Sequence, residues 1–154
     1  MINIVLHEPE IPQNTGNIGR TCFCTRSKLH LIHPLGFLTD EKSVRRAGMD
    51  YWQDVDISEY SSFDDFKNKN SGRYFLVETG GRPYTKFDYR PDDYFIFGAE
   101  SKGLPLDILS MYPDNVIRIP MAEGSRSLNL AVSVGIITYE VIRQCADFAG
   151  LQVK

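Results

Sequence analysis

The stretch 117–144 constrains the fold most. Ile117, Arg118 and Ile119 form a short run that Pro120 stops, which reads as a strand running into a loop. Gly124 and Ser125 mark a turn within 121–126. Ser127 follows, and its hydroxyl can accept from an unpaired N–H of a first helical turn, so it is expected to cap a helix over 128–144. On that helix Asn129, Ser133, Glu140 and Gln144 fall in one narrow arc, and nearly every other position is apolar. Such a helix is expected to be buried on most sides, with its polar start next to dry protein, where hydrogen bonds fix a ligand best. A core helix with an ordinary cap is the other reading of the same text.

The 154 residues suit one domain, and the N-terminus Met-Ile-Asn-Ile-Val-Leu has neither a basic leader nor a cleavage site. No stretch is long and apolar enough for a membrane span, so a cytoplasmic location is expected. Cys22, Cys24 and Cys145 are odd in number and lack C-x-x-C spacing, which points to reduced, buried thiols and to no metal site. The net charge is −3, with 17 Lys and Arg against 20 Asp and Glu. That excludes a general polyanion binder and confines any nucleic-acid contact to local patches, such as Arg45-Arg46, or to patches pooled in an oligomer.

Apolar runs at 2–6, 29–32, 74–79, 93–97 and 117–119 read as strands, with a further one expected at 54–57. Between them lie helical signals: the Asn14 to Cys22 segment, a short basic helix over 42–47 stopped by Gly48, a Ser62-capped helix running to about Lys69, and a helix over 106–111 opened by Pro105. Strand and helix alternate, which argues for an α/β domain with a mostly parallel sheet flanked by helices. In such sheets ligands bind beyond the carboxyl ends of the strands. Three loops after strands carry glycine with polar groups, following Thr79, Phe97 and Ile119, and they are candidates for one shared site.

The three histidines, at 7, 30 and 33, lie away from these loops, so no Ser-His-Asp or Cys-His set assembles. There is no G-K-[ST] phosphate loop, and Asn14-Thr15-Gly16-Asn17-Ile18-Gly19 is not a dinucleotide fingerprint. Asn14 reads as a helix cap. Arg20 sits within an otherwise uncharged helical segment and is suited to a phosphate or carboxylate. Residue chemistry alone therefore gives an α/β protein that holds a small molecule by backbone groups.

Three segments in order, Asn14-Thr15-Gly16-Asn17-Ile18-Gly19-Arg20, Phe97-Gly98-Ala99-Glu100-Ser101-Lys102-Gly103-Leu104, and Ile117-Arg118-Ile119-Pro120-Met121 with Ser127-Leu128-Asn129, resemble the motifs of the SPOUT superfamily of RNA ribose 2′-O-methyltransferases. Length and spacing resemble its minimal single-domain branch, which acts on the wobble nucleotide, cytidine or uridine 34, of leucine tRNAs. The resemblance implies one domain over 1–154, a C-terminal trefoil knot, S-adenosyl-L-methionine as cofactor, no metal, a homodimer, and the tRNA anticodon loop as partner. By position it implies cofactor contacts at Val77, Gly98, Ile119, Met121, Ser127 and Leu128, and catalytic roles for Arg20, Glu100 and Asn129. Glu100 and Asn129 also admit structural readings, the first holding a loop N–H and the second a helix cap. A non-catalytic nucleotide- or RNA-binding module of the same fold is the competing reading.

Overall fold

The computed structural model describes residues 1–38 and 51–145. The expected basic helix over 42–47, Gly48 and the Arg45-Arg46 pair lie outside the described residues. The described elements are β1 (Asn3–His7), α1 (Pro12–Thr25), β2 (Lys28–Ile32), β3 (Ile57–Tyr60), α2 (Phe63–Lys69), β4 (Tyr74–Pro83), β5 (Tyr94–Phe97), α3 (Leu106–Met111), β6 (Val116–Arg118) and α4 (Leu130–Cys145). The strands form one sheet in the order β3-β2-β1-β5-β4-β6, with every pairing parallel.

Period-2 alternation sends side chains to two cores, which is why the strands read as unbroken apolar runs. Ile4, Leu29, Phe75 and Phe95 lie in register across four strands and face α1 and α4, where Ile18, Cys22, Val134, Ile137 and Val141 complete a buried cluster. Val5, Leu76 and Ile96 point the other way, onto Phe63 and Phe66 of α2 and Ile108 of α3. Ser62 caps α2 as expected, accepting from the Asp65 N–H at 3.1 Å. Gln144 of the polar arc on α4 donates to the Phe87 carbonyl at 3.1 Å and accepts from the Tyr89 N–H at 2.9 Å, pinning the irregular aromatic segment to the helix.

Several expectations need correction. Residues 52–54 form a single 3-10 turn and β3 starts at Ile57; Trp52 of that turn packs against α1 at Gly19, where a Cβ would lie 3.1 Å from its ring. The glycines after Thr79 do not make a free loop. After a shift in register, β4 pairs again with β6 at Arg82 and Pro83, and a Cβ on Gly81 would lie 2.5 Å from the Val116 carbonyl oxygen. The long helix begins at Leu130, capped not by Ser127 but by Asn129, whose Oδ1 accepts from the Ala131 and Val132 N–H groups at 2.9 and 3.3 Å. It is buried on one side only: Val132 and Tyr139 are 51% and 55% exposed. Cys24 is exposed, contrary to the expectation of buried thiols, since its neighbour Cys22 takes the inward face of α1. Among the described residues no helix is long and apolar enough to cross a membrane.

His30 of β2 is buried, bonded to the Tyr60 hydroxyl at 2.8 Å and to Asn3 Oδ1 at 3.2 Å. Burial lowers its pKa to about 4, and burial also lowers that of His7. A depressed histidine pKa means that the unfolded chain binds the proton first, so stability is lost as the pH falls from about 6.5 towards 4. Urea unfolding followed across that range should show a loss on the order of 3 kcal/mol from His30, and His30→Gln should flatten that part of the profile.

Candidate active site

The sheet changes direction of growth between β1 and β5, and the strand ends on that side converge on a cavity of about 300 Å³. Val77 to Thr79 from β4, Phe97 to Glu100 after β5, Ile119 and Met121 after β6, residues 127–130 and 133 around the start of α4, and Ile11 and Asn14 of the first crossover line it. Eight of the nine nominated residues are therefore neighbours: Val77, Gly98, Glu100, Ile119, Met121, Ser127, Leu128 and Asn129. Arg20 is not among them. It lies on an exposed side of α1, its guanidinium carbon 4.8 Å from the centre of the Tyr51 ring, and the Tyr51 hydroxyl in turn donates to the Gly16 carbonyl.

The loop after β5 is built around missing side chains. A Cβ on Gly98 would lie 2.1 Å from the carbonyl carbon of Gly103, so the loop folds back with backbone against backbone. Gly103 has φ +66°, which favours glycine, and its N–H donates to the Ala99 carbonyl at 2.8 Å. Glu78, in β4 where its pairing with β6 shifts register, accepts from the Leu104 N–H at 3.3 Å and ties this loop to the neighbouring strand. Gly124, with φ +82°, turns the loop after β6.

Glu100 does not hold its own loop. Its carboxylate accepts from the Glu10 N–H at 2.7 Å, the Ile11 N–H at 3.2 Å and the Asn14 side-chain amide at 3.0 Å. Helix α1 has no side-chain cap of its own at Ile11, and the anion from the neighbouring loop instead holds the two N–H groups that lead into it and sits near the positive end of its dipole. Asn14 Oδ1 then accepts from the Asn129 amide at 2.9 Å, and Asn129 caps α4. Two helix starts and the loop after β5 are thus joined by Glu100, Asn14 and Asn129. In return Glu10 accepts from the Ser101 hydroxyl and N–H, each at 2.8 Å, and these bonds hold its carboxyl below the usual range. Lys102 pairs with Glu8 at 2.6 Å.

Asn14 is the residue that sequence reasoning passed over, having treated it as a cap. It lies inside the first turn and is buried, and an uncapping asparagine within a helix was the available signal. Ser133 also lines the cavity, one turn into the polar arc of α4. Among the described residues no cluster of three His, Cys, Asp or Glu is placed to hold a metal ion. The walls offer bare backbone, apolar faces and a few hydrogen-bonding groups, which suits a flat, polar-edged small molecule.

A parallel α/β sheet whose strands and first and last helices meet round one cavity defines an α/β protein with a small-molecule site at the carboxyl edge of its sheet. More particularly, the chain belongs to the SpoU rRNA methylase family, whose model matches residues 1–139. The tRNA (cytidine(34)-2'-O)-methyltransferase of Escherichia coli (strain K12) is 45% identical over 147 residues, covering 94% of this chain and 94% of that protein. The protein of the same name from Yersinia pestis is 47% identical over 152 residues, covering 94% of each. A solved structure concerned with the 2-OH methylation of C/U34 on tRNA matches with TM-score 0.88 and 42% identity over 95% of this chain and 97% of that one. An AdoMet-bound rRNA methyltransferase from Sinorhizobium meliloti matches with TM-score 0.78 and 27% identity, over 92% of this chain and 56% of the other.

Replacing Glu100 by alanine leaves two backbone N–H groups and the Asn14 amide without their acceptor. The expected loss is about 2–3 kcal/mol in urea unfolding at neutral pH, whereas Ser127→Ala, which removes no cap, should change stability by less than about 0.5 kcal/mol.

Proposed function

We propose that this chain transfers a methyl group from S-adenosylmethionine to the ribose 2′-oxygen of the wobble nucleotide, cytidine or uridine 34, of leucine tRNAs. The supporting observation is the one cavity that gathers the irregular middle of β4 and the ends of β5 and β6 with the start of α4. The relatives named for action at cytidine 34 support the substrate, and their length matches this chain nearly end to end.

The residues fit the cofactor. Gly98 presents backbone where a side chain has no room, and Val77, Ile119 and Leu128 give apolar walls for an adenine ring. The backbone at Ile119 and Met121 and the polar atoms of Ser127 and Ser133 offer partners to the ribose and the amino-acid end. Segment 119–129 covers the strand ends, in keeping with the trefoil knot proposed for this part of the chain. When bound, the cofactor supplies an electrophilic methyl on a positively charged sulfur.

The protein's part is alignment, the main source of rate in a displacement of this kind. Glu100 and Asn129 are held rigid by Asn14, so they shape the cavity from fixed positions rather than exchange protons. Arginine side chains stay protonated in proteins, so the role proposed for Arg20 is to clamp the ribose or its phosphate while the 2′-proton leaves towards that phosphate or water. Arg20 does not line the cavity of its own chain, and Ile11 and Leu128 at the mouth are 43% and 38% exposed. A second copy covering this apolar face together with Val132 and Tyr139 would bring another α1, and a second copy's Arg20, to the mouth. The homodimer is therefore part of the proposal.

Calorimetry with S-adenosylhomocysteine, followed by methyl transfer to total tRNA and mapping of the modified nucleotide, tests the reading. Binding without transfer would leave only the non-catalytic module. Arg20→Lys should keep binding of S-adenosylhomocysteine within about twofold and cut transfer by roughly 100-fold, since a point charge does not reproduce a bidentate clamp. Gly98→Ala should abolish the thermal shift given by S-adenosylhomocysteine.

A further inference from the structure

A second cavity, of about 310 Å³, adjoins the first and shares Thr79, Ile119 and Met121 with it. Two arginines line it, Arg118 from the end of β6 and Arg126 from just before Ser127, which lines the first cavity. The turn between them brings these residues to one place. The Ser125 N–H donates to the Ala122 carbonyl at 3.1 Å, and Gly124 at φ +82° occupies the position that a type II turn reserves for a residue of positive φ.

What sets Arg118 and Arg126 apart is that both line one cavity without a carboxylate partner among the described residues. Lys28, Lys67, Lys69, Arg73, Lys102 and Arg143 each pair with one. Among the described residues no carboxylate pairs with Arg118 or Arg126, although Glu123 lines the same cavity. Two like charges left uncompensated around one space are stabilised by an anion between them. Guanidinium groups suit phosphate in particular, because they offer paired donors in a fixed plane.

We propose that this cavity holds a phosphodiester of the RNA substrate next to the nucleotide that receives the methyl group. The assignment rests on the methyltransferase reading above. Both arginines are exposed, so an RNA backbone can reach them from solvent while the neighbouring cavity holds the cofactor. Ser125 and Glu123 line the same cavity, the first with a hydroxyl that can donate and the second with a carboxylate that limits how much negative charge the site takes.

The test uses the full chain, with Arg118→Gln, Arg126→Gln and the double variant. Affinity for total tRNA is measured at several salt concentrations, and S-adenosylhomocysteine is titrated in parallel. Each variant should bind S-adenosylhomocysteine as the parent does, which also shows that it is folded. The double variant should bind tRNA about tenfold more weakly at 0.1 M salt, and the slope of log affinity against log salt should fall by roughly one for each arginine removed. Lysine at either position should restore most of the salt slope. Unchanged tRNA affinity and slope overturn the proposal. So does a loss of S-adenosylhomocysteine binding with tRNA binding intact, which would give the cavity to the cofactor's own carboxylate. Failure of the parent chain to methylate tRNA while these binding differences persist would instead sink the functional reading and leave the phosphate site standing.

Discussion

One carboxylate organises this molecule. Glu100 stands at the start of α1 although it belongs to a loop more than eighty residues downstream, and it holds the two backbone N–H groups that lead into the helix and the Asn14 amide. Through Asn14 it also fixes the orientation of Asn129, and so the direction in which α4 leaves the sheet. Each of these groups has its hydrogen bonds met by another, so the arrangement has little freedom to relax. A cavity bounded by three such elements keeps its shape before any ligand arrives, which is the condition for catalysis by alignment.

The α/β class and most strands were legible because both faces of a parallel sheet are covered, and buried strands leave continuous apolar runs in the text. The glycine-bearing strand end at Gly98 was legible for a related reason: backbone can approach backbone there only if the side chain is absent. What sequence did not disclose were interactions between distant segments. Ser127 and Asn129 are both good caps, and only the contact with Asn14 decides between them. The glycines at 80 and 81 read as a loop because turn chemistry and close strand packing use the same residue. Arg20 was singled out as a charge in a helix, yet its neighbour is the Tyr51 ring rather than the cavity, a pairing that no spacing rule reveals.

The surface divides by chemistry. Apolar side chains on α1 and α4, among them Phe23, Val132 and Tyr139, remain uncovered in one chain, while Lys67, Lys69 and Arg143 are held in short ion pairs on their own helices. Position along α4 decides which is which: Val134, Ile137 and Val141 face the sheet, Gln144 holds the aromatic segment, and the remaining apolar flank is left to solvent or to another copy. The net negative charge describes the chain as a whole, whereas Arg118 and Arg126 share one cavity and set a local positive charge there.

The pairing of β1 with β5 sets Asn3 beside Tyr94, and β5 also carries β4. During synthesis the first half of the sheet must therefore wait, with β1 presenting an open edge, until well over half the chain has left the ribosome. Such long-range parallel closure makes folding slow and leaves nascent chains open to association through that edge. High yields of this protein should thus depend more on the pace of translation and on chaperone supply than on the stability of the finished molecule.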